Sequence, residues 1–193
     1  IELDSEKAQQ AQSSYLQYQN WSKPSDPEPT LDPPPKQRVL TALEKVEAGQ
    51  PQLWWQIVVE MTLMPTSEEY IHDHIFEPDI TKLPGWEEAE ADTKARIIET
   101  AKNYLEAGDP ETQKWIGTNN FSHPPFAGYQ ALYHLIKQEP EFISTNPLDT
   151  WKKWVPIILT SINFPHINRR DSGDEVCREI VRTAYQSIPD EFI

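Results

Sequence analysis

The amino-acid sequence predicts an all-α fold, and three observations carry that prediction. Apolar residues recur three and four apart in one segment after another, prolines mark the joints between segments, and the alternation of half-buried strands is essentially absent. With 193 residues, 37% of them hydrophobic and including seven Trp, seven Tyr and six Phe, the chain has enough apolar material for one substantial core.

Three parts are expected: an N-terminal helix over 1–21, a proline-rich linker over 22–36, and a helical-repeat domain over 37–193. The first rests on "SEKAQQAQSSYLQYQN", where Ser5 can cap and Ala8, Ala11, Tyr15 and Tyr18 share a helical face. The linker has six prolines in the fifteen residues "SKPSDPEPTLDPPPK", which removes donors and fixes φ too often for helix or central strand.

Within the third part, "PPPKQRVLTALEKVEAGQP" reads as a helix with proline in its first turn, an apolar face of Val39, Leu40, Leu43 and Val46, and a stop at Gly49. "QLWWQIVVEMTLMP" is apolar nearly all round, as in a buried helix, and Thr66 to Gly85 shows no lasting period. From Asp92, expected as the cap, Ala95, Ile98, Ala101, Tyr104 and Leu105 line a helix that ends at Gly108, followed by a short helix through Trp115. "FAGYQALYHLIKQE" predicts a helix with Phe126, Tyr129, Leu132, Tyr133 and Ile136 inward. The next begins at Pro147 and should kink at Pro156. The last, about Gly173 to Ser187, puts Val176, Cys177, Ile180, Val181, Ala184, Tyr185 and Ile188 on one stripe.

Helix pairs at this spacing suit a short α-solenoid of HEAT or armadillo type, or an irregular helical bundle. "EFI" occurs twice, at Glu141 to Ile143 and Glu191 to Ile193, fifty residues apart, each time after a helical stretch and a proline. In a repeating array Phe192 and Ile193 would lack their native cover, and the natural protein would continue.

The 17 basic and 31 acidic side chains leave a net charge of −14, a field that repels phosphate backbones and anionic lipid heads. Nucleic acid and membrane are therefore not the expected partners, and no apolar run approaches the roughly 20 residues a bilayer requires. The single cysteine and the polar start "IELDSEKAQQ" fit a reducing, cytoplasmic setting.

Neither GxxxxGK[ST] nor GxGxxG is present, and no GxSxG frames a serine. In "EEYIHDHIFEPD", Glu69 and His72 have the ExxH spacing of di-iron bundles, and His72 and His74 with Asp73 and Asp79 have zinc-ligand chemistry. Both readings lack partner ligands elsewhere, so no cofactor is expected and polar groups serving an irregular segment explain the stretch. Cys177 with His166 as base makes a nucleophile pair only with a third, orienting group, and the apolar stripe around Cys177 points to a buried thiol. "WKKW", Trp151 to Trp154, interleaves aromatics and lysines near Arg169 and Arg170, yet its spacing turns both tryptophans to a core and Lys152 and Lys153 to water. Among the tryptophans, Trp54, Trp86 and Trp115 are kept as candidates for contact with a partner.

Three phrases taken together, "PPPKQRVLTALEKVEAGQPQLWWQIVVEMTL", "LPGWEEAEADTKARIIETAKNYL" and "GTNNFSHPPFAGYQALYHL", resemble the helical region that follows the nucleotide-binding module in large bacterial NACHT-type STAND proteins. The resemblance runs from about Pro33 to the end, with its sharpest marks at Trp54, at Leu83 to Trp86 and at Gly117 to Phe121. It implies an α-solenoid that serves as the sensor or regulatory arm of a neighbouring ATPase, as in antiphage defence. It also implies that the partner is a protein or an adjacent domain of the parent chain. No catalytic residue of that family falls within this stretch.

Overall fold

The computed structural model describes residues 32–64, 72, 75–118, 121–145, 147–161 and 173–192. These residues form an all-α fold with helices α1 (Pro35–Glu47), α2 (Trp54–Met61), α3 (Pro84–Glu88), α4 (Ala91–Ala107), α5 (Thr112–Trp115), α6 (His123–Gln138), α7 (Pro140–Ser144), α8 (Leu148–Ser161) and α9 (Gly173–Ser187). Short 3-10 turns at Pro51–Leu53, Ile80–Lys82 and Pro189–Phe192 complete the order. The one β feature among the described residues is an isolated antiparallel bridge between Leu63 and His72. No helix among them is long and apolar enough to cross a membrane. The expected N-terminal helix, Arg169, Arg170 and Ile193 lie outside the described residues.

Pro35 opens α1, where a missing amide hydrogen costs nothing, and Val39, Ala42, Leu43 and Val46 are buried, with Leu40 only half-buried. Helix α1 lies on α2, and Arg38 fixes the pair by a two-pronged bond to Glu60, Nε to Oε2 at 2.6 Å and Nη2 to Oε1 at 3.0 Å. Arg96 grips Glu47 in the same way and so ties α4 to the end of α1.

Glu90, not Asp92, precedes α4 in extended backbone, and Asp92 sits in the first turn, where a carboxylate suits the positive end of the helix dipole. The buried face is Ile97, Thr100, Ala101, Tyr104 and Leu105, while Ala95 is exposed and Ile98 half-buried. On that face the Trp54 indole donates to Ile97 O at 3.1 Å, which joins this side of α4 to α2.

Helix α6 is the axle of the fold, packed by α2, α4, α8 and α9 and buried from Pro125 through Leu135. One inward face was expected, and neighbours on several sides bury the rest. Gly128 makes the closest crossing, since a Cβ there would lie 2.0 Å from Trp154 Cζ3. Gly85 plays the same part in α3, where a Cβ would lie 2.7 Å from the Met61 Cα.

Trp151 and Trp154 are buried, as their spacing predicted. Trp154 Nε1 donates to Leu105 O at 2.9 Å and Lys153 Nζ to Glu106 O at 2.7 Å. "WKKW" thereby supplies donors to the last carbonyls of α4, which have no partner within their own helix. Rings pack in series through the core: Trp54 stacks on Tyr104 at 5.5 Å, and Tyr104 meets Trp154 at a tilt at 5.4 Å.

Both proline-led "EF" stretches are helical turns that follow a long helix, α7 after α6 and the 3-10 turn after α9. Phe192 departs from expectation: it is half-buried and packs edge-on against Tyr185 at 5.6 Å. Tyr185 itself leaves the predicted stripe and is 54% exposed.

Candidate functional site

A cleft with converging polar groups lies between α2 and the N-terminal half of α6. Trp55, Val58 and Val59 form one wall, Phe126 and Ala127 the other, and Thr62, His72, His123 and Gln130 bring the polar atoms. Val59 and Trp55 are on the side of α2 turned away from Trp54, which a helix apolar nearly all round leaves half covered.

The bridge to Leu63 holds the His72 backbone beside the end of α2. Thr62 Oγ1 donates to Val59 O at 2.7 Å, and His72 Nδ1 is 2.8 Å from the same hydroxyl. A hydroxyl has one hydrogen, so this arrangement assigns the imidazole proton to Nδ1, which donates to Thr62. Across the cleft, His123 lies flat on Trp55, centroids 6.0 Å apart at 15°, and meets the Phe121 ring edge-on at 4.9 Å. Phe121 in turn touches Phe76 at 5.1 Å and Phe126 at 5.6 Å. Phe76 and Phe121 are each 37% exposed, so the cleft opens onto an aromatic rim.

Burial pushes the His72 pKa below its ordinary value, helped by the Arg38 charge and opposed by Glu60. Burial also lowers His123, and the nearby His72 lowers it further. Both imidazoles are therefore neutral at neutral pH. The Gln130 side chain, 1% exposed, donates Nε2 to Glu77 O at 2.8 Å and forms the cleft floor.

The cleft volume is about 130 Å³. A cavity of about 150 Å³ holds one benzene, whereas small-molecule sites run to roughly 300–1,000 Å³. The space thus suits one ring or one branched aliphatic side chain, and among the described residues no carboxylate, thiol or ammonium lines it.

The residues singled out in the sequence scatter. Glu69, Asp73, His74 and His166 lie outside the described residues; of the two described metal candidates, Asp79 does not line the cleft and His72 does. Its companion His123 carried no metal-ligand spacing, because the two are fifty-one positions apart and only the fold joins them. Asp79 is committed elsewhere, accepting from Lys137 Nζ at 2.7 Å and from Thr81 N and Oγ1 at 3.1 and 2.6 Å. Among the described residues, no three His, Cys, Asp or Glu side chains converge.

Two of the three tryptophans held as partner contacts are corrected to core. Trp54 is fully buried, and Trp115, 8% exposed, donates Nε1 to Pro110 O at 2.6 Å. Indole rings of this size fill the space between helices once their N–H finds a carbonyl. Trp86 is half-buried, as is Trp55 on the cleft wall. Cys177 is half-buried, and its Sγ accepts from Tyr129 Oη at 2.9 Å. Lys152 is exposed, 3.7 Å from Glu191.

Comparison with known proteins returned no match: no family model, no curated protein and no solved structure is detectably similar to this chain.

Proposed function

We propose that this chain is a non-catalytic helical scaffold that recognises a protein segment, working as the sensor or regulatory arm of a NACHT-type STAND NTPase in a reducing, cytoplasmic setting. The observation that supports this reading most is the aromatic-rimmed cleft, with a volume that fits one anchoring side chain. Binding energy at protein interfaces concentrates in a few desolvated pockets of this kind, walled by Trp and other aromatics. The −14 net charge favours a segment whose anchor is flanked by basic residues.

A peptide library displayed against the purified chain tests the recognition role. The expected selection is for an aromatic or branched aliphatic anchor next to Lys or Arg. Binding should fall at least tenfold in Trp55→Ala and Phe121→Ala and stay unchanged in Leu148→Ala, which alters an exposed residue outside the cleft lining. Selected peptides that bind both cleft variants as tightly as the parent would refute the assignment. The STAND assignment is tested separately by a phosphate-binding loop in the parent reading frame.

One rival has a specific observation in its favour. His72 and His123 line the same cleft, which supports a metal-dependent helical-bundle enzyme that adds Glu69 and His74. A transition metal retained stoichiometrically through purification, and lost in His72→Gln, would establish that reading over the scaffold. A purely structural spacer predicts that neither peptide nor metal binds.

A further inference from the structure

His134 poses a problem that the cleft does not answer. His134 is 2% exposed on the fourth turn of α6, and neither Nδ1 nor Nε2 has a hydrogen-bond partner. Leaving a buried polar group unsatisfied is costly, and such groups in native proteins call for an explanation.

Its position on the helix supplies one. Gln130, His134 and Lys137 are spaced i, i+4, i+7 and so form one stripe. The connection before α3, residues 75–83, is bonded by both ends of that stripe: Gln130 Nε2 donates to Glu77 O at 2.8 Å, and Lys137 Nζ pairs with Asp79 Oδ2 at 2.7 Å. His134, between them, is the only one of the three without a bond, and its other neighbour is Trp86 of α3, edge-to-face at 5.2 Å. A stripe with two donors engaged and a titratable third idle under an indole is a latch with one catch open.

We propose that His134 is a proton-triggered latch: its buried place under Trp86 offers a charged imidazole no bonded acceptor, so on gaining a proton the side chain leaves that place and residues 77–83 with Trp86 are released from α6.

The charges facing it set the direction. Burial depresses the His134 pKa and Lys137 lowers it further, while Asp79 and Glu139 act the other way. From α4, Lys94 Nζ lies 5.8 Å above the Trp86 ring and disfavours a second cation beneath it. In the released state the imidazole regains its ordinary pKa of about 6.5. Opening therefore takes up one proton, and the open-to-closed ratio rises by up to about tenfold per pH unit below 6.5. At pH 7 and above the latch stays closed.

Amide hydrogen exchange on the whole chain, corrected for intrinsic rates, tests this at pH 7.5, 6.0 and 5.0. Protection of residues 77–83 should fall by up to about tenfold between pH 6.0 and 5.0, while α1 and α2 are unaffected. In His134→Leu, which removes both idle nitrogens, that loss should vanish and protection at pH 7.5 should equal or exceed the parent's. Where the Leu variant does not fold, ¹⁵N shifts of the parent's imidazoles decide: His134 must titrate in step with the loss of protection. Protection that is independent of pH, that falls equally in His134→Leu, or that follows His72 or His123 instead, overturns the latch.

Discussion

Gly128→Ala is the sharpest test of the packing, because local propensity and tertiary structure demand opposite signs. Gly128 is inside a sixteen-residue helix, where alanine in its place favours the helical state by about 1 kcal/mol. The added Cβ would lie 2.0, 2.4 and 2.6 Å from three ring carbons of Trp154. Carbon contacts are comfortable near 3.5 Å, so the indole must retreat by roughly 1.5 Å. Trp154 is fully buried and anchored by Nε1 to Leu105 O, and the retreat breaks that bond. Overpacking of about 3 kcal/mol and a lost hydrogen bond of about 1 kcal/mol, less the propensity gain, leave a net loss of about 3 kcal/mol. Urea unfolding should show it as a midpoint lower by about 1.5 M, at a slope of about 2 kcal/mol per M. In a Trp154→Leu background the same substitution should cost far less, since the clash has gone. A midpoint unchanged or raised in Gly128→Ala would refute the reasoning, for it would mean that α6 and α8 do not meet there.

Other outcomes follow from single contacts. Tyr104→Phe removes the hydroxyl that donates to Pro124 O at 2.8 Å and should lower stability by about 1 kcal/mol in urea, leaving the ring stack intact. Burial foremost, then nearby carboxylates, pushes the Tyr104 and Tyr133 phenols up. The folded state then holds protons the unfolded chain gives up, so stability measured against pH should fall above about pH 10. Lys137→Met strands the Asp79 carboxylate, whose side chain is 5% exposed, and should cost about 2 kcal/mol, because the two Thr81 donors remain. Lys36→Met breaks an ion pair whose side chains are 52% and 75% exposed and should leave the unfolding midpoint where it was. Iodide should quench Trp55 and Trp86 and spare Trp54, Trp115, Trp151 and Trp154, so Trp55→Phe with Trp86→Phe should remove the accessible emission of these six.

Much of this architecture was legible in the order of residues, for local reasons. Proline at Pro35 starts a helix because its missing donor is harmless in the first turn, and Pro189 starts the final turn for the same reason. The spacing of Val39, Leu43 and Val46, or of Ile180, Ala184 and Ile188, marks a buried stripe because 3.6 residues make a turn. The burial of Trp151 and Trp154 with lysines between them followed from the same period.

What local spacing lacks is the position of a neighbour. The Trp54 indole meets α4 at Ile97 O, on a side that local spacing did not mark, and α6 is buried all round because several helices pack on it. His72 and His123 share a cleft although fifty-one positions separate them, and Asp79 went to Lys137 instead of a metal. By itself, then, the sequence determined that the chain is helical, where several of its helices start, and which residues seek cover. Tertiary structure alone decided which carbonyl each indole satisfies, which glycine admits a crossing helix, and that His134 is buried without a partner. Propensity and periodicity act over a few residues of chain, whereas hydrogen-bond satisfaction and close packing depend on atoms that only folding brings together.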